Sequence, residues 1–273
     1  MNKSIHIVKI LIMTCVGVLL LSACGKEVAS DTNETTTLNI STVSVPHAEI
    51  LEVIQDDLEA EGVVLEWSIL SDGIQSNQQT ADGQFDANFF QHTPYLEQVN
   101  EDSDLDLVEV TGVHIEPFGV YSETLDSIDD LPEDAKISIP KDPVNFSRAL
   151  ELFAANNIIE LDEKITSDYT LQDITENEKN IEFTAVDSEL LVHSLADVDA
   201  AAINTNYALE GDFKPLEDAL IIEGNESPYV NILVARPDNA DDEAIQKLKE
   251  QLHSDKVKEF IEEEYNGAVV PAF

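Results

Sequence analysis

The ten residues Asp86-Ala-Asn-Phe-Phe-Gln-His-Thr-Pro-Tyr95 stand apart from the acidic chain around them. They include Phe89, Phe90, His92 and Tyr95, one proline and a single charged residue. Aromatic rings and an imidazole offer apolar faces with a few polar tips, which is typical of the wall of a small-molecule pocket. The alternative interpretation is a hydrophobic core segment followed by an ordinary turn, because aromatic clusters are often simply buried.

Strand and helix patterns alternate before this stretch. Residues 38–45 alternate between apolar and polar side chains and predict a strand. Residues 48–61 place apolar side chains at helical spacing, Gly62 ends that pattern, and residues 63–70 predict the next strand. A strand, a helix and a strand in this order favour a parallel sheet covered by helices, so we expect an α/β fold.

The second half of the chain continues the same pattern. Residues 198–203 are strongly apolar, which is typical of a strand in a sheet covered on both faces. Asn204 follows the carboxyl end of that strand, where open α/β sheets bind their ligands. Residues 229–235 predict another strand, which carries Asn231, and residues 241–264 predict one or two amphipathic helices.

The first residues predict the compartment. Two lysines precede an apolar run over residues 10–21, which is shorter than the ~20 apolar residues that cross a bilayer and is typical of a signal peptide. The run ends in Leu21-Ser-Ala-Cys-Gly25, which resembles a bacterial lipobox. We therefore expect a signal peptide over residues 1–23 and a diacylglyceryl group on Cys24, anchoring the protein at the extracytoplasmic face of the cell membrane. In the alternative, the signal is an ordinary secretory one and Cys24 is incidental.

The composition excludes several functional classes. The chain has 14 Lys and Arg against 56 Asp and Glu, a net charge of −42, and such a surface repels nucleic acid and anionic membranes. We interpret the charge as an adaptation to a salty or alkaline exterior. The other cysteine, Cys15, lies in the segment to be removed, so a chain lipidated at Cys24 keeps no free thiol. This argues against a cysteine nucleophile, a zinc–thiolate site and a disulfide scaffold. A hydrophobic content of 43% argues against a disordered acidic protein.

Arg148 is one of only two arginines in the chain. It follows Asp142-Pro-Val-Asn-Phe-Ser147, in which Asn145 is the expected N-cap of a helix over residues 149–156. A cation in the first turn opposes the helix dipole, so helix stability does not explain Arg148. Free backbone N–H groups and a guanidinium together suit a carboxylate held by two hydrogen bonds. The alternative is an arginine paired with one of the many surface acids.

Six blocks of sequence, in this order, resemble the methionine-binding lipoprotein family of bacterial ABC importers. The blocks are VPHAEI (45–50), DANFFQHTPYL (86–96), HIEPFGVYS (114–122), DPVNFSR (142–148), AINTNYA (202–208) and ESPYVN (226–231). The resemblance extends over residues 38–273 and implies the two-lobed periplasmic-binding-protein fold of type II, with parallel and mixed sheets flanked by helices. It also implies a substrate-binding lipoprotein that captures methionine or a closely related amino acid in the cleft between the lobes and delivers it to the membrane permease.

The resemblance assigns residues to the side-chain end of the ligand. Phe90, His92 and Tyr95 match positions that surround the thioether, and sulfur packs well against aromatic edges. Gly73 departs from the family, which usually has tyrosine at that position, lining the same end of the pocket. We therefore expect a wider pocket, so the alternative ligand is a different amino acid or a small dipeptide.

The resemblance also assigns residues to the head group. Arg148 matches the position that binds the α-carboxylate, and Asn204 and Asn231 match asparagines that bond the head group. Ser147 stands where the family often has glycine, and we expect this change to shift the loop only slightly. The implied partners are the ligand, the permease with its ATPase, and the membrane through the lipid anchor. The resemblance implies a monomer without catalytic residues, metal, cofactor or nucleic acid.

The domain boundaries follow from these patterns. Residues 24–37 are polar and predict a flexible tether between lipid and domain. Residues 38–119 and 228–273 are expected to form the first lobe, and residues 120–227 the second. Pro117 would interrupt a strand, so we expect the chain to leave the first lobe near it.

Three other functions remain as alternatives. His47, His92 and His114 suggest a receptor for zinc or manganese, although no two of them have close helical spacing. A hydrolase would need a nucleophile with a base; the chain has no Gly-x-Ser-x-Gly motif, although His92 with Asp86 or Glu116 could transfer protons. A surface protein that uses the fold only as a scaffold would bind no small molecule.

Overall fold

The structure, a computed structural model, describes residues 35–224 and 226–273. The predicted signal peptide, Cys24 and most of the predicted tether lie outside the described residues. The first strand begins at Thr36 and so includes the last two residues of the predicted tether. None of the helices in the described ranges has the length and apolar character needed to cross a membrane.

Thirteen strands and nine α-helices make up the described part of the chain. The strands are β1 (Thr36–Thr42), β2 (Val63–Ile69), β3 (Ala87–His92), β4 (Val108–Ile115), β5 (Gly119–Tyr121), β6 (Lys136–Pro140), β7 (Glu160–Leu161), β8 (Ile174–Glu176), β9 (Glu182–Val186), β10 (Ala200–Ile203), β11 (Ile221–Ile222), β12 (Val230–Ala235) and β13 (Val270–Pro271). The helices are α1 (Glu49–Ala60), α2 (Gly73–Ala81), α3 (Thr93–Ser103), α4 (Pro143–Ala155), α5 (Leu191–Ser194), α6 (Thr205–Glu210), α7 (Pro215–Asp218), α8 (Glu243–Leu252) and α9 (Asp255–Tyr265).

Two mixed sheets contain most of these strands, and β7 pairs with β8 in a separate two-stranded sheet. The first has the order β13-β4-β12-β3-β1-β2, and the second has the order β11-β5-β10-β6-β9. Strands β1 and β2 pair in parallel on either side of α1, as the strand–helix–strand pattern predicted. Strand β12 pairs antiparallel with both β3 and β4, so the last part of the chain completes the sheet that the first part began.

The apolar stripe of α1 shows how sequence spacing builds the first core. Ile50, Leu51, Ile54 and Leu58 are all fully buried, and they belong to one cluster with side chains from the first sheet and from α8 and α9. Burying each such side chain stabilises the fold by roughly 1.5–3 kcal/mol. Truncation to alanine, as in Ile54→Ala, would cost about 2–5 kcal/mol, because a cavity is left behind. A separate cluster around Phe118, Ile137 and Phe153 fills the space beneath the second sheet.

The chain passes between the two sheets twice. It leaves the first sheet after β4, through Glu116-Pro117-Phe118, and enters the second sheet at β5. It returns in the segment between β11 and β12. Pro117 lies in the first of these crossing segments, where no ladder hydrogen bond is required of it.

Helix α4, which carries Arg148, begins earlier than the sequence suggested. Its N-cap is Asp142, whose carboxylate accepts from the backbone N–H of Asn145 at 2.9 Å, and Pro143 occupies the first turn. The assignment of Asn145 as N-cap was wrong, because an aspartate followed by proline is the stronger start signal: the ring presets φ and needs no N–H partner. Arg148 therefore lies in the second helical turn.

Candidate ligand-binding site

A cavity of about 430 Å³ lies between elements of the two sheets. Its size is within the range of about 300–1,000 Å³ that small-molecule sites occupy. The residues predicted to bind the ligand all line it: Phe90, His92, Tyr95, Arg148, Asn204 and Asn231. The structure thus brings together side chains that are up to 141 positions apart in the chain.

The aromatic stretch divides its side chains between core and cavity. Phe89 is fully buried in the core of the first sheet, where its ring meets His47 at 4.6 Å and His114 at 5.6 Å. Phe90, on the opposite face of β3, lines the cavity and meets Tyr95 edge to face, with ring centroids 6.2 Å apart. Because side chains alternate along a strand, the core and pocket interpretations each describe one half of the stretch.

His92 has no nitrogen left for a ligand. Its Nδ1 accepts from the backbone N–H of Tyr95 at 3.2 Å, which caps α3, so its proton is on Nε2. Nε2 donates to Asn145 Oδ1 at 3.2 Å. Burial, and next the charge of Arg148, lower the pKa of His92 to about 3. The neutral ring therefore offers only its apolar surface, and neither nitrogen is paired with Asp86 or Glu116 as an acid–base catalyst would need.

Gly73 does not leave a gap in the cavity wall. A Cβ atom at Gly73 would lie 2.8 Å from Phe90 Cε2 and 2.8 Å from Tyr95 Oη. Both distances are far below van der Waals contact, so the two rings already occupy the space beside the glycine backbone. The extra room expected beside Gly73 is therefore filled by Phe90 and Tyr95.

Arg148 already binds a carboxylate of the protein itself. Its Nε donates to Glu223 Oε1 at 2.8 Å and its Nη2 to Glu223 Oε2 at 2.6 Å. The guanidinium is stacked between Phe118 and Tyr229, with its carbon 5.1 Å and 4.1 Å from the ring centroids. The arginine–acid pair anticipated as the alternative is therefore present. Among the described residues, Nη1 has no hydrogen-bond partner, which leaves one side of the guanidinium for a ligand.

The same guanidinium joins the two crossing segments. Nη2 also donates to the backbone carbonyl of Glu116 at 2.9 Å, in the first crossing segment. Glu223 belongs to the return segment, and its Oε2 accepts from the backbone N–H of Phe118 at 3.0 Å. Arg148 and Glu223 thus connect both passages of the chain between the sheets, at the edge of the cavity.

The two asparagines predicted to bind the head group differ in which atom is already bonded. Asn204 follows β10, as predicted, and its Nδ2 donates to Asn145 Oδ1 at 3.1 Å, while its own Oδ1 is buried without a partner. Asn231, on β12, uses its Oδ1 to accept from His47 Nε2 at 3.1 Å. Within residues 35–224 and 226–273, Asn231 Nδ2 has no partner. One asparagine therefore offers an oxygen to a ligand, and the other an N–H.

His47, His114 and Glu116 form a buried cluster next to the cavity. Their potential ligand atoms lie within 4.8 Å of one another, close enough to hold a metal ion. His114 Nε2, however, is already bonded to Glu116 Oε1 at 2.8 Å, and His47 Nε2 lies 3.7 Å from the same oxygen. Within the described ranges, the nitrogens of these two rings that have no partner are both Nδ1 atoms. His92, the third histidine of the metal hypothesis, is bonded to Asn145, and the Nε2 atoms of His47 and His114 are already bonded to Asn231 and Glu116.

Burial decides the charge of this cluster. It lowers the pKa of His47 and of His114 to about 3, against the opposing effect of Glu116 on His47. Burial raises the pKa of the Glu116 carboxyl, while His47 and Arg148 lower it. The two histidines are therefore neutral hydrogen-bond donors, and Glu116 is the carboxyl group of the cluster that lines the cavity.

Sequence reasoning missed three residues of the site. Asn145 was taken for a helix cap, Glu116 was considered only as a base for catalysis, and Glu223 was not singled out. Glu116 had a signal, because it is the one acid in the otherwise uncharged run from Thr111 to Tyr121. Glu223 had none, since it meets Arg148 across 75 positions of an acid-rich chain.

Comparisons with known proteins identify the family of this chain. The model of the NlpA lipoprotein family matches residues 38–273. The methionine-binding lipoprotein MetQ of Bacillus subtilis (strain 168) is 40% identical over 256 residues, which cover 92% of this chain and 93% of that protein. A nutrient binding protein from Burkholderia cenocepacia, with methionine bound, superposes with a TM-score of 0.83 at 36% identity, over 86% of this chain and 100% of that one. A periplasmic substrate-binding protein of an ABC transporter from Coxiella burnetii gives 0.82 at 34% identity, again over 86% and 100%. The chain described here belongs to the NlpA lipoprotein family.

Proposed function

We propose that this protein is the substrate-binding lipoprotein of an ABC importer and that it captures methionine, or a closely related amino acid, for delivery to the permease. The observation that carries the proposal is the cavity itself, which has a charged end at Arg148 and Glu116 and an aromatic end at Phe90 and Tyr95. A zwitterionic head group with an apolar side chain fits both ends at once. The function is capture and delivery, not catalysis.

The head group binds at the charged end. Arg148 holds the α-carboxylate through Nη1, because Glu223 occupies the other edge of its guanidinium. Among residues 35–224 and 226–273, Asn204 Oδ1 and Asn231 Nδ2 have no hydrogen-bond partner, so both can bind the same head group. A charged, buried hydrogen bond of this kind contributes more to binding than a neutral one.

The side chain binds at the aromatic end. Phe90 and Tyr95 meet edge to face and leave ring edges toward the cavity, and the neutral ring of His92 lies 6.2 Å from that of Tyr95. A thioether packs favourably against such edges, with roughly 0.3–1.5 kcal/mol for each sulfur–aromatic contact. The volume of about 430 Å³ also leaves a larger amino acid or a small dipeptide as the second candidate ligand.

Ligand release and capture follow from movement of the two lobes. The proposed lobes are residues 38–119 with 228–273, and residues 120–227; the separate cores beneath the two sheets support two lobes, although Phe118 and Gly119 pack with the second. In the closed arrangement His92 bonds Asn145 across the cleft at 3.2 Å. The ligand favours this closed state because it contacts both lobes there, and closure bends the chain at the two crossing segments.

The protein acts as a monomer at the outer face of the cell membrane. The lipobox-like end of the signal peptide supports lipidation at Cys24, and two acyl chains hold a protein stably on a bilayer. The polar tether after Cys24 lets the binding domain reach the permease. Only the closed, loaded protein is received by the permease and its ATPase.

A thermal-shift screen of the full-length protein in detergent tests this function. A ligand that binds only the native state must raise the melting temperature, so methionine is expected to do so in a concentration-dependent way. The screen includes L- and D-methionine, other amino acids, methionine dipeptides and zinc. Stabilisation only by a bulkier amino acid or dipeptide would favour the second candidate. Stabilisation by zinc alone, or by nothing, would refute amino-acid capture.

A further inference from the structure

We propose that Asn145 and His47 are positioning residues that fix the polarity of the head-group site: Asn145 makes Asn204 an acceptor for the ligand's ammonium group, and His47 makes Asn231 a donor to its carboxylate. This inference rests on the proposed function and deepens it. It identifies the ligand class as α-amino acids, as opposed to carboxylic acids that lack the amino group.

The orientation of the Asn145 amide is fixed by a backbone group. Asp142 Oδ1 accepts from the backbone N–H of Asn145 at 2.9 Å, and that N–H can only donate. The same oxygen lies 3.0 Å from Asn145 Nδ2, which must therefore be the donor of this second bond. The carbonyl oxygen of Asn145 then has to point the other way.

A second backbone group fixes the partner on the opposite side of the cleft. The N–H of Tyr95 donates to His92 Nδ1 at 3.2 Å, so the His92 proton is on Nε2 and points at Asn145 Oδ1. Two independent backbone N–H groups, one at the start of α3 and one near the start of α4, thus require the same orientation of Asn145.

The hydrogen bond to Asn145 fixes the orientation of the Asn204 amide. Because Asn145 Oδ1 accepts, Asn204 must present Nδ2 to it, at 3.1 Å. Asn204 lines the cavity, and its Oδ1 is then left buried without a partner among the residues that the structure describes. A buried carbonyl without a hydrogen bond destabilises the complex, so the group that fills this position must be a donor. The ammonium group of an amino acid is such a donor, whereas a methylene group is not.

Asn231 is oriented in the opposite sense. The Nε2 of His47 lies 3.7 Å from the Glu116 carboxylate and 3.1 Å from Asn231 Oδ1. The Glu116 carboxyl oxygen favours the proton on Nε2, and a protonated Nε2 requires Asn231 to face it with Oδ1. Asn231 Nδ2 remains for an acceptor, which is the ligand's carboxylate beside Arg148 Nη1. The cavity therefore distinguishes the two ends of the zwitterion.

The test measures a ratio of affinities by calorimetry on the full-length protein in detergent. The ligands are L-methionine and 4-(methylthio)butanoate, which is methionine without its amino group. We expect wild type to prefer methionine by about 100-fold. Without the amino group, the ligand loses a buried charged hydrogen bond and leaves Asn204 Oδ1 without a partner. In Asn145→Ala the Asn204 amide can rotate, so the preference should fall about tenfold or more, chiefly through weaker methionine binding.

Two further variants separate positioning from a loss of structure. Asn145→Asp keeps an acceptor oxygen toward Asn204 and His92 and should retain most of the preference, even if repulsion from Asp142 lowers the melting temperature. Asn156→Ala, at the far end of α4, removes a side chain that donates to Leu152 O and should keep the wild-type ratio. Asn145→Asp remains informative if the alanine variant fails to fold.

Several outcomes would overturn the inference. Equal losses for both ligands in Asn145→Ala would mean that the residue only supports the fold, and an unchanged ratio would mean that it does not orient Asn204. A ratio lowered alike in Asn145→Ala and Asn145→Asp would also overturn it, because the acceptor survives in the aspartate. Wild type that binds methionine without any preference would refute the inference and leave the proposed function standing. Wild type that binds no amino acid would refute both.

Discussion

The cavity has two walls that work by different physics. The aromatic wall consists of Phe90, His92 and Tyr95, and its contacts are apolar and tolerate changes in ligand shape. The polar wall consists of Arg148 and Asn204 with Asn145 behind them, and its atoms are held by directional hydrogen bonds. Loss of one apolar contact costs only that contact, whereas loss of one polar partner leaves another buried group unpaired. The polar wall should therefore decide whether a ligand binds, and the aromatic wall which side chain is preferred.

Arg148→Ala should have the largest effect on this comparison. The substitution removes the ligand's cationic partner and leaves Glu223 without its counter-ion, and breaking such a buried pair typically costs about 3–5 kcal/mol. We expect a loss of affinity of more than about 100-fold for every amino acid, measured by calorimetric titration.

The second arginine provides the matched control. Arg236 donates to the backbone carbonyls of Thr80 and Phe85 and is not part of the cavity lining. Arg236→Ala should lower the melting temperature yet leave the dissociation constant for methionine unchanged. Unchanged affinity in Arg148→Ala, or equal losses in both variants, would contradict a head-group role for Arg148.

Phe90→Ala should have an intermediate effect that depends on the ligand. Removal of the ring takes away apolar area and a sulfur contact, together worth about 1–3 kcal/mol. Methionine should bind roughly tenfold more weakly, while alanine, whose side chain cannot reach the aromatic wall, should be affected much less. The measurement is a pair of titrations, and an equal loss for both amino acids would show that Phe90 does not select the side chain.

Gly73→Ala should have a smaller effect, visible as a change in length preference. The new Cβ would force Phe90 and Tyr95 to move from their present positions 2.8 Å away, and the space open to them is the cavity. We expect affinity for long side chains such as methionine and norleucine to fall about three- to tenfold relative to norvaline. A uniform change across these three ligands would mean that the rings move elsewhere.

A change of pH should have the smallest effect on affinity, although it should change the free energy of unfolding. Burial lowers the pKa of His47, His92 and His114 to about 3, so they remain neutral in the folded protein at pH 5. The unfolded chain takes up protons below pH 6.5, so the stability they provide is complete above that pH and is lost as pH falls toward 3. Each histidine contributes up to about 1.4 kcal/mol per pH unit in that window.

Glu116 works against this trend, because its raised pKa favours the folded state at lower pH. Three histidines outweigh one carboxyl, so the melting temperature should fall by several degrees between pH 7 and pH 5. Titrations with methionine at the same pH values should give similar dissociation constants. An affinity that titrates with a midpoint near pH 6.5 would show that a histidine becomes charged in the folded site.

The sequence predicted the parts of this molecule that depend on local pattern. The apolar spacing of Ile50, Leu51, Ile54 and Leu58 specified α1 and its buried face. The resemblance to a known family predicted six residues that line the cavity. The start of α4 was missed because Asp142 and Asn145 are both good caps, and the proline between them decided the choice.

Other features depend on contacts that no local pattern contains. Glu223 reaches Arg148 over 75 positions, and 56 acidic residues offered too many possible partners. The space beside Gly73 looked open in the sequence because the rings that fill it come from β3 and α3. The direction in which Asn204 points its amide is set by hydrogen bonds that pass through Asn145.

Arg148 contacts the cavity and both connections between the sheets. Through Glu223 and the carbonyl of Glu116 it is tied to both connections between the sheets, and the same guanidinium faces the cavity. In the proposed complex, a ligand carboxylate on Nη1 would contact the group that joins both connections, so binding would be coupled to bending without any intermediate side chains. The backbone N–H of Phe118, which donates to Glu223, reports on this coupling. Its rate of exchange with solvent deuterium should fall when the two connections are held together more tightly.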